Sequence, residues 1–116
     1  MIVSREDAVG LLSKWATEST PVWVVAFAAG AAVISFIGSI TDLRSDGFVI
    51  AHQGGHGDAV FRLDGLVGFD YQDIREADQF VQEKLGKKVV SSLHMWAESS
   101  NYYISEMVTP MQGSSI

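Results

Sequence analysis

The sequence predicts a mainly β domain of α+β type: an N-terminal helix, a five-stranded and strongly bent antiparallel barrel, then a short helix and a C-terminal β-hairpin. Three observations point there. Apolar residues recur at helical spacing up to Thr17 and again after Gln72, whereas β-branched and aromatic residues in alternation fill most of the stretch between. Clusters of Gly, Asp and Ser cut that middle stretch into short segments in the rhythm of a meander. At 116 residues the chain has the usual size of one domain, with room for a single core.

The first helix is expected over Arg5 to Thr17. Ser4 is a good N-cap, Glu6 and Asp7 carry negative charge where the helix dipole favours it, and Ala8, Leu11, Leu12 and Trp15 share a face. Pro21 closes it off, because proline neither continues the hydrogen-bond ladder nor lets the preceding residue stay helical. Strands follow at Val22 to Ala29, Ala32 to Leu43, Gly47 to His52, Asp58 to Leu63 and Leu66 to Tyr71. Ser45-Asp46-Gly47 and Asp64-Gly65 are the tightest turn signals, and each predicts that the strands on either side are antiparallel neighbours. Asp73 can cap a second helix with Glu76 at its third position, an apolar stripe of Ile74, Ala77, Phe80 and Val81, and Gly86 at its end. Val89 to Ala97 and Tyr102 to Val108 then bracket Glu98-Ser99-Ser100-Asn101 as a hairpin, with one longer helix as the alternative. Residues 1–110 thus make one domain and residues 111–116 a loose tail.

Val22 to Ile40 carries no charge over nineteen residues and is long enough for a membrane-spanning helix. Gly30 at mid-run and the alternation Val33, Ser35, Ile37, Ser39, Thr41 favour two strands instead. Fourteen acidic against eight basic residues give a net charge of −6, which opposes attraction to nucleic acid and to anionic membranes. The absence of cysteine excludes disulfides, thiolate metal sites and a cysteine nucleophile, and the opening Ser4-Arg5-Glu6-Asp7 does not read as a secretory signal; a cytoplasmic setting is the simplest expectation.

Gly38-Ser39-Ile40-Thr41-Asp42-Leu43 followed by Phe48-Val49-Ile50 resembles the first motif of the Sm-like family of small SH3-type barrels, in which a glycine lets the second strand bend. Phe61-Arg62-Leu63-Asp64-Gly65-Leu66 is similar to the second motif, although Leu63 and Asp64 separate Arg62 from Gly65 where the family has an Arg-Gly pair. The resemblance covers about Arg5 to Tyr71. It implies a ring of identical subunits joined through the edges of the fourth and fifth strands, Asp58 to Tyr71, and it offers RNA binding as an alternative function. The polar residue of the family's RNA-contacting loop would fall near Asp46, an acid poorly suited to phosphate.

His52-Gln53-Gly54-Gly55-His56-Gly57-Asp58 holds the sharpest local signal for chemistry: His52, His56 and Asp58 are ligand types that a divalent cation accepts. A Gly-rich loop between strands calls for the same small and polar residues, so a plain connection is the competing reading. No phosphate-binding Gly-Lys motif, serine elbow or pair of carboxylates suited to acid–base work is present, and no cofactor is implied. Arg62, Trp96, Tyr102 and Tyr103 are the candidates for contacting a partner, the aromatics because large amphipathic rings are favoured at binding surfaces as well as in sheets. Lys84, Lys87 and Lys88 suit the C-terminus of a helix. These features together predict a non-enzymatic interaction or self-assembling scaffold domain, with RNA binding or a metal or small-ligand site at His52 to Asp58 as alternatives.

Overall fold

A computed structural model describes residues 1–55 and 57–108 of the chain. Helix α1 (Arg5–Thr17) begins with a reciprocal capping box: the Ser4 hydroxyl accepts from the Asp7 N–H, and the Asp7 carboxylate accepts from the Ser4 N–H. It ends before Pro21 is reached, because Ser19 takes a left-handed φ of 53° and the Thr20 N–H turns back to the Trp15 carbonyl.

Seven strands then form a single antiparallel sheet: β1 (Val22–Ala28), β2 (Ala31–Arg44), β3 (Gly47–His52), β4 (Asp58–Arg62), β5 (Gly68–Asp73), β6 (Val89–Trp96) and β7 (Ser100–Met107). Their order across the sheet is β4-β3-β2-β1-β7-β6-β5. Val22 to Ile40 is accordingly the β1–β2 hairpin, turned by Ala29 and Gly30 at φ 53° and 82°. Among the described residues no helix is long and apolar enough to cross a membrane.

The mainly β, antiparallel expectation and most element boundaries hold, but the five-stranded barrel does not describe this sheet. The predicted C-terminal hairpin is no appendage. Strand β7 pairs along the whole of β1, from Val22 opposite Glu106 to Ala28 opposite Ser100, and β6 links β7 to β5. Strands β4 and β5, expected as neighbours across Asp64-Gly65, therefore lie at opposite edges. Gly65 does turn the chain at φ 86°, but the flanking backbone bonds go elsewhere: the Leu63 N–H donates to the Asp46 carbonyl, and the Val67 N–H to that of Trp96. The second helix is also shorter than expected. Asp73 caps only a 3₁₀ turn (Ile74–Glu76); Ala77 is extended, and Asp78 caps α2 (Gln79–Leu85) by accepting from the Val81 N–H.

Helix α1 lies in the concavity of the sheet. Ala8, Leu12 and Trp15 are buried against Val22, Val24, Ile40, Ile50, Phe61, Leu63, Phe69, Leu93, Met95 and Ile104, which the alternation of each strand turns inward. The Trp15 indole N–H has no hydrogen-bond partner among the described residues, so this ring is held by its shape and apolar area. Gly38 sits where β2 passes from its pairing with β1 to its pairing with β3. A Cβ there would meet the Ala51 carbonyl oxygen, so close approach of two backbones is what this glycine permits. A bulge between Ile40 and Asp42 then moves Leu43 onto the inner face.

Candidate binding face

The opposite, convex face of the sheet is built from the alternate residues of the same strands. Register places Trp23, Ser105, Ser92 and Gln72 in one row; Val25, Tyr103, His94 and Asp70 in the next; and Phe27, Asn101, Trp96 and Gly68 in a third. Aromatic rings run across three strands. Tyr103 stacks on His94 at 4.1 Å between ring centroids, Phe27 meets Tyr103 edge-on at 5.8 Å, and Trp96 leans on His94 at 5.1 Å. The His94 Nε2 lies 3.2 Å from Asn101 Oδ1, which fixes the imidazole in the row. Gly68 leaves room for the Trp96 indole, whose ring occupies the space a Cβ would need.

Helix α2 crosses over this face without closing on it. None of its residues is buried, and Phe80 is 67% exposed. A groove of about 360 Å³ remains between helix and sheet, with Val25, Phe27 and Tyr103 on its floor, Ile74, Val81 and Leu85 on its wall, and Gln72, Ser91, Ser92 and Ser105 toward one end. The serines are already engaged: Ser105 Oγ donates to Ser92 Oγ at 3.0 Å and Ser91 Oγ to Glu106 Oε1 at 3.2 Å. The lining offers apolar area, hydroxyls and one amide, but no carboxylate, amine or imidazole. Such a surface can hold an apolar group, and it supplies no acid–base pair for chemistry. A second, wider hollow of about 630 Å³ begins on the other side of Trp23, bounded by Ser35, Phe36, Ile37, His52, Gln53, Lys88 and Met107.

The residues singled out by sequence are scattered around this arrangement. Trp96 and Tyr103 belong to the aromatic row, but Tyr102 points to the other face, where it meets Phe61 edge-on at 5.3 Å. Adjacent strand residues face opposite ways, so the two tyrosines cannot share one surface. Arg62 binds Asp64 through two hydrogen bonds of 3.1 and 3.2 Å at the end of β4, remote from the row. This contact lowers the Asp64 pKa and raises that of Arg62, chiefly through the side-chain hydrogen bond.

In the β3–β4 connection His52 stacks on Phe36 at 5.3 Å, and its Nδ1 accepts from the Gly54 N–H at 2.8 Å. Asp58 is exposed at the start of β4, and His56 lies outside the described residues. Among the described residues no three His, Cys, Asp or Glu side chains gather as a metal set. Sequence reading missed the groove because its lining comes from β1, β5, the 3₁₀ turn, α2, β6 and β7, most of which become neighbours only through the sheet order. The signal it could have used is the alternation of Trp23, Val25 and Phe27 with the buried Val22, Val24 and Ala26, since a strand apolar on both faces must be covered on both.

No family model matches this chain, and no curated protein or solved structure matches it.

Proposed function

We propose that the chain is a non-enzymatic protein-interaction domain that binds an apolar side chain of a partner segment in the groove beneath α2. The observation that carries this reading is the loose roof: α2 presents Val81 and Leu85 to an apolar strand surface, yet buries none of its own residues and leaves the groove underfilled. An unfilled apolar groove beside aromatic rings is where a partner gains most by excluding water. The acidic balance of the chain supports a protein partner over RNA, the alternative that the Sm-like resemblance brings with it. The absence of cysteine keeps a reducing, cytoplasmic setting as part of the same reading.

The test is a selection of random peptides displayed on phage against the wild-type protein, counter-selected against Ser92→Trp, which fills the groove from its serine-lined end. Recovered peptides are expected to share a large apolar residue, to shift the NMR signals of Val25, Val81 and Leu85, and to lose binding to the variant. Recovery only of peptides that bind both proteins equally would overturn the proposal.

A further inference from the structure

Strand β2 is fourteen residues long, but β3 pairs with it only from Gly38 onward. Residues 31–36 therefore have a strand neighbour on one side alone, β1, and the other side is an open edge, which ends where Gln53 bonds to Ile37. The backbone shows which groups face it. The Ile37 carbonyl accepts from the Gln53 N–H on the open side, and strand alternation turns the Ser35 N–H and C=O the same way, while Ile34 and Phe36 face β1. The side chains along this edge are apolar and uncovered: Val33 is 60% exposed, Ile34 39% and Ile37 36%.

The other two edges of the sheet are protected. Met1 to Val3 lie along β5, with the Val3 N–H donating to the Phe69 carbonyl and the Tyr71 N–H to that of Met1. Strand β4 carries Asp58 and Arg62 and is followed by Asp64. Charge and cover are the usual means of keeping strand edges apart. The open part of β2 has neither, and its one device is the bulge opposite Ala26 and Phe27.

We infer that this edge, residues 31–36, pairs with the same edge of a second copy, antiparallel about a two-fold axis, with the outward N–H and C=O of Ser35 in the shared ladder. Gln53 already takes the open side of Ile37, so the shared ladder lies on the other side of it, over residues 31–36. Every residue of that ladder is apolar except Ser35. The chain is strongly acidic, but residues 19–41 hold no charge, so two copies meet here without repulsion. The contact moves self-association from the edges of β4 and β5 to β2, and it stands whether or not the groove under α2 binds a peptide.

Light scattering on the eluting wild-type protein should give twice the 12.6 kDa chain mass. Ser35→Pro removes the outward N–H while leaving the bonds of Ile34 and Phe36 to β1, and should give a monomer; Ser35→Ala keeps the N–H and should remain a dimer. Amide exchange of the wild type should show Ser35 protected in concentrated solution and exposed on dilution, a readout that needs no variant to fold. A wild-type monomer at high micromolar concentration, an assembly larger than two, a dimeric Ser35→Pro, or a Ser35 amide whose exchange ignores concentration would each overturn the inference.

Discussion

Asp73 illustrates how one side chain can be read correctly for its chemistry and wrongly for its reach. Its sequence position marks it as a cap, and its carboxylate does accept from the Arg75 N–H at 2.8 Å, but the turn it starts is three residues long. The Arg75 guanidinium also grips it through two hydrogen bonds, and these contacts, the side-chain one first, hold the Asp73 pKa at about 2, below the ordinary 3.8. A carboxylate whose pKa is depressed on folding stabilises the native state above its unfolded pKa, and that contribution fades as pH falls through the folded value. Asp73→Asn should therefore melt at a lower temperature than the wild type near neutral pH, with the gap closing between about pH 4 and pH 2. Arg75 is 86% exposed, so solvent screens the pair and the gap should be small. Melting curves followed by circular dichroism across that range check it; a gap constant down to the lowest pH would mean that the charge takes no part.

The elements differ in how much of their stability is local. Helix α1 was legible to the residue because its cap, its first-turn acids and its apolar stripe all agree. Even so, thirteen residues are too few to hold a helix in water without a partner, so most of its stability must come from Leu12, Ala8 and Trp15 against the sheet. Leu12→Ala should cost about 3 kcal/mol in urea unfolding. Ser4→Ala, which removes one half of the capping box, should cost about 1 kcal/mol. Equal costs would show that the cap, not the packing, anchors the helix. Helix α2 was overestimated because Ile74, Ala77, Phe80 and Val81 sustain a helical stripe through a break that the second cap, Asp78, imposes. The charge-free hairpin of β1 and β2 was read as strands from its alternation, but its open edge was hidden, since no sequence feature says where β3 stops pairing.

For the whole molecule, the connections that sequence reports best are the short ones. The turns after Ala28, Arg44 and His52, and the one between Trp96 and Ser100, each join adjacent antiparallel strands as expected. The link from β4 to β5 is just as short but joins the two edge strands, which do not pair with each other, and the pairing of β1 with β7 joins residues some eighty positions apart. Such a pairing depends on the inner faces of distant strands fitting one core, which no local pattern encodes. The binding face inherits this non-locality, because β6 and β7 supply half its rows. If β6 and β7 belong to the middle of the sheet, a fragment of residues 1–72 cannot fold: it would leave β1 without a neighbour on one side and remove Leu93, Met95 and Ile104 from the core. That fragment should show no cooperative transition in urea, whereas the full chain should unfold in a single one. A cooperative fragment would instead mean that the five N-terminal strands close on one another as a barrel of their own, with the hairpin added outside it.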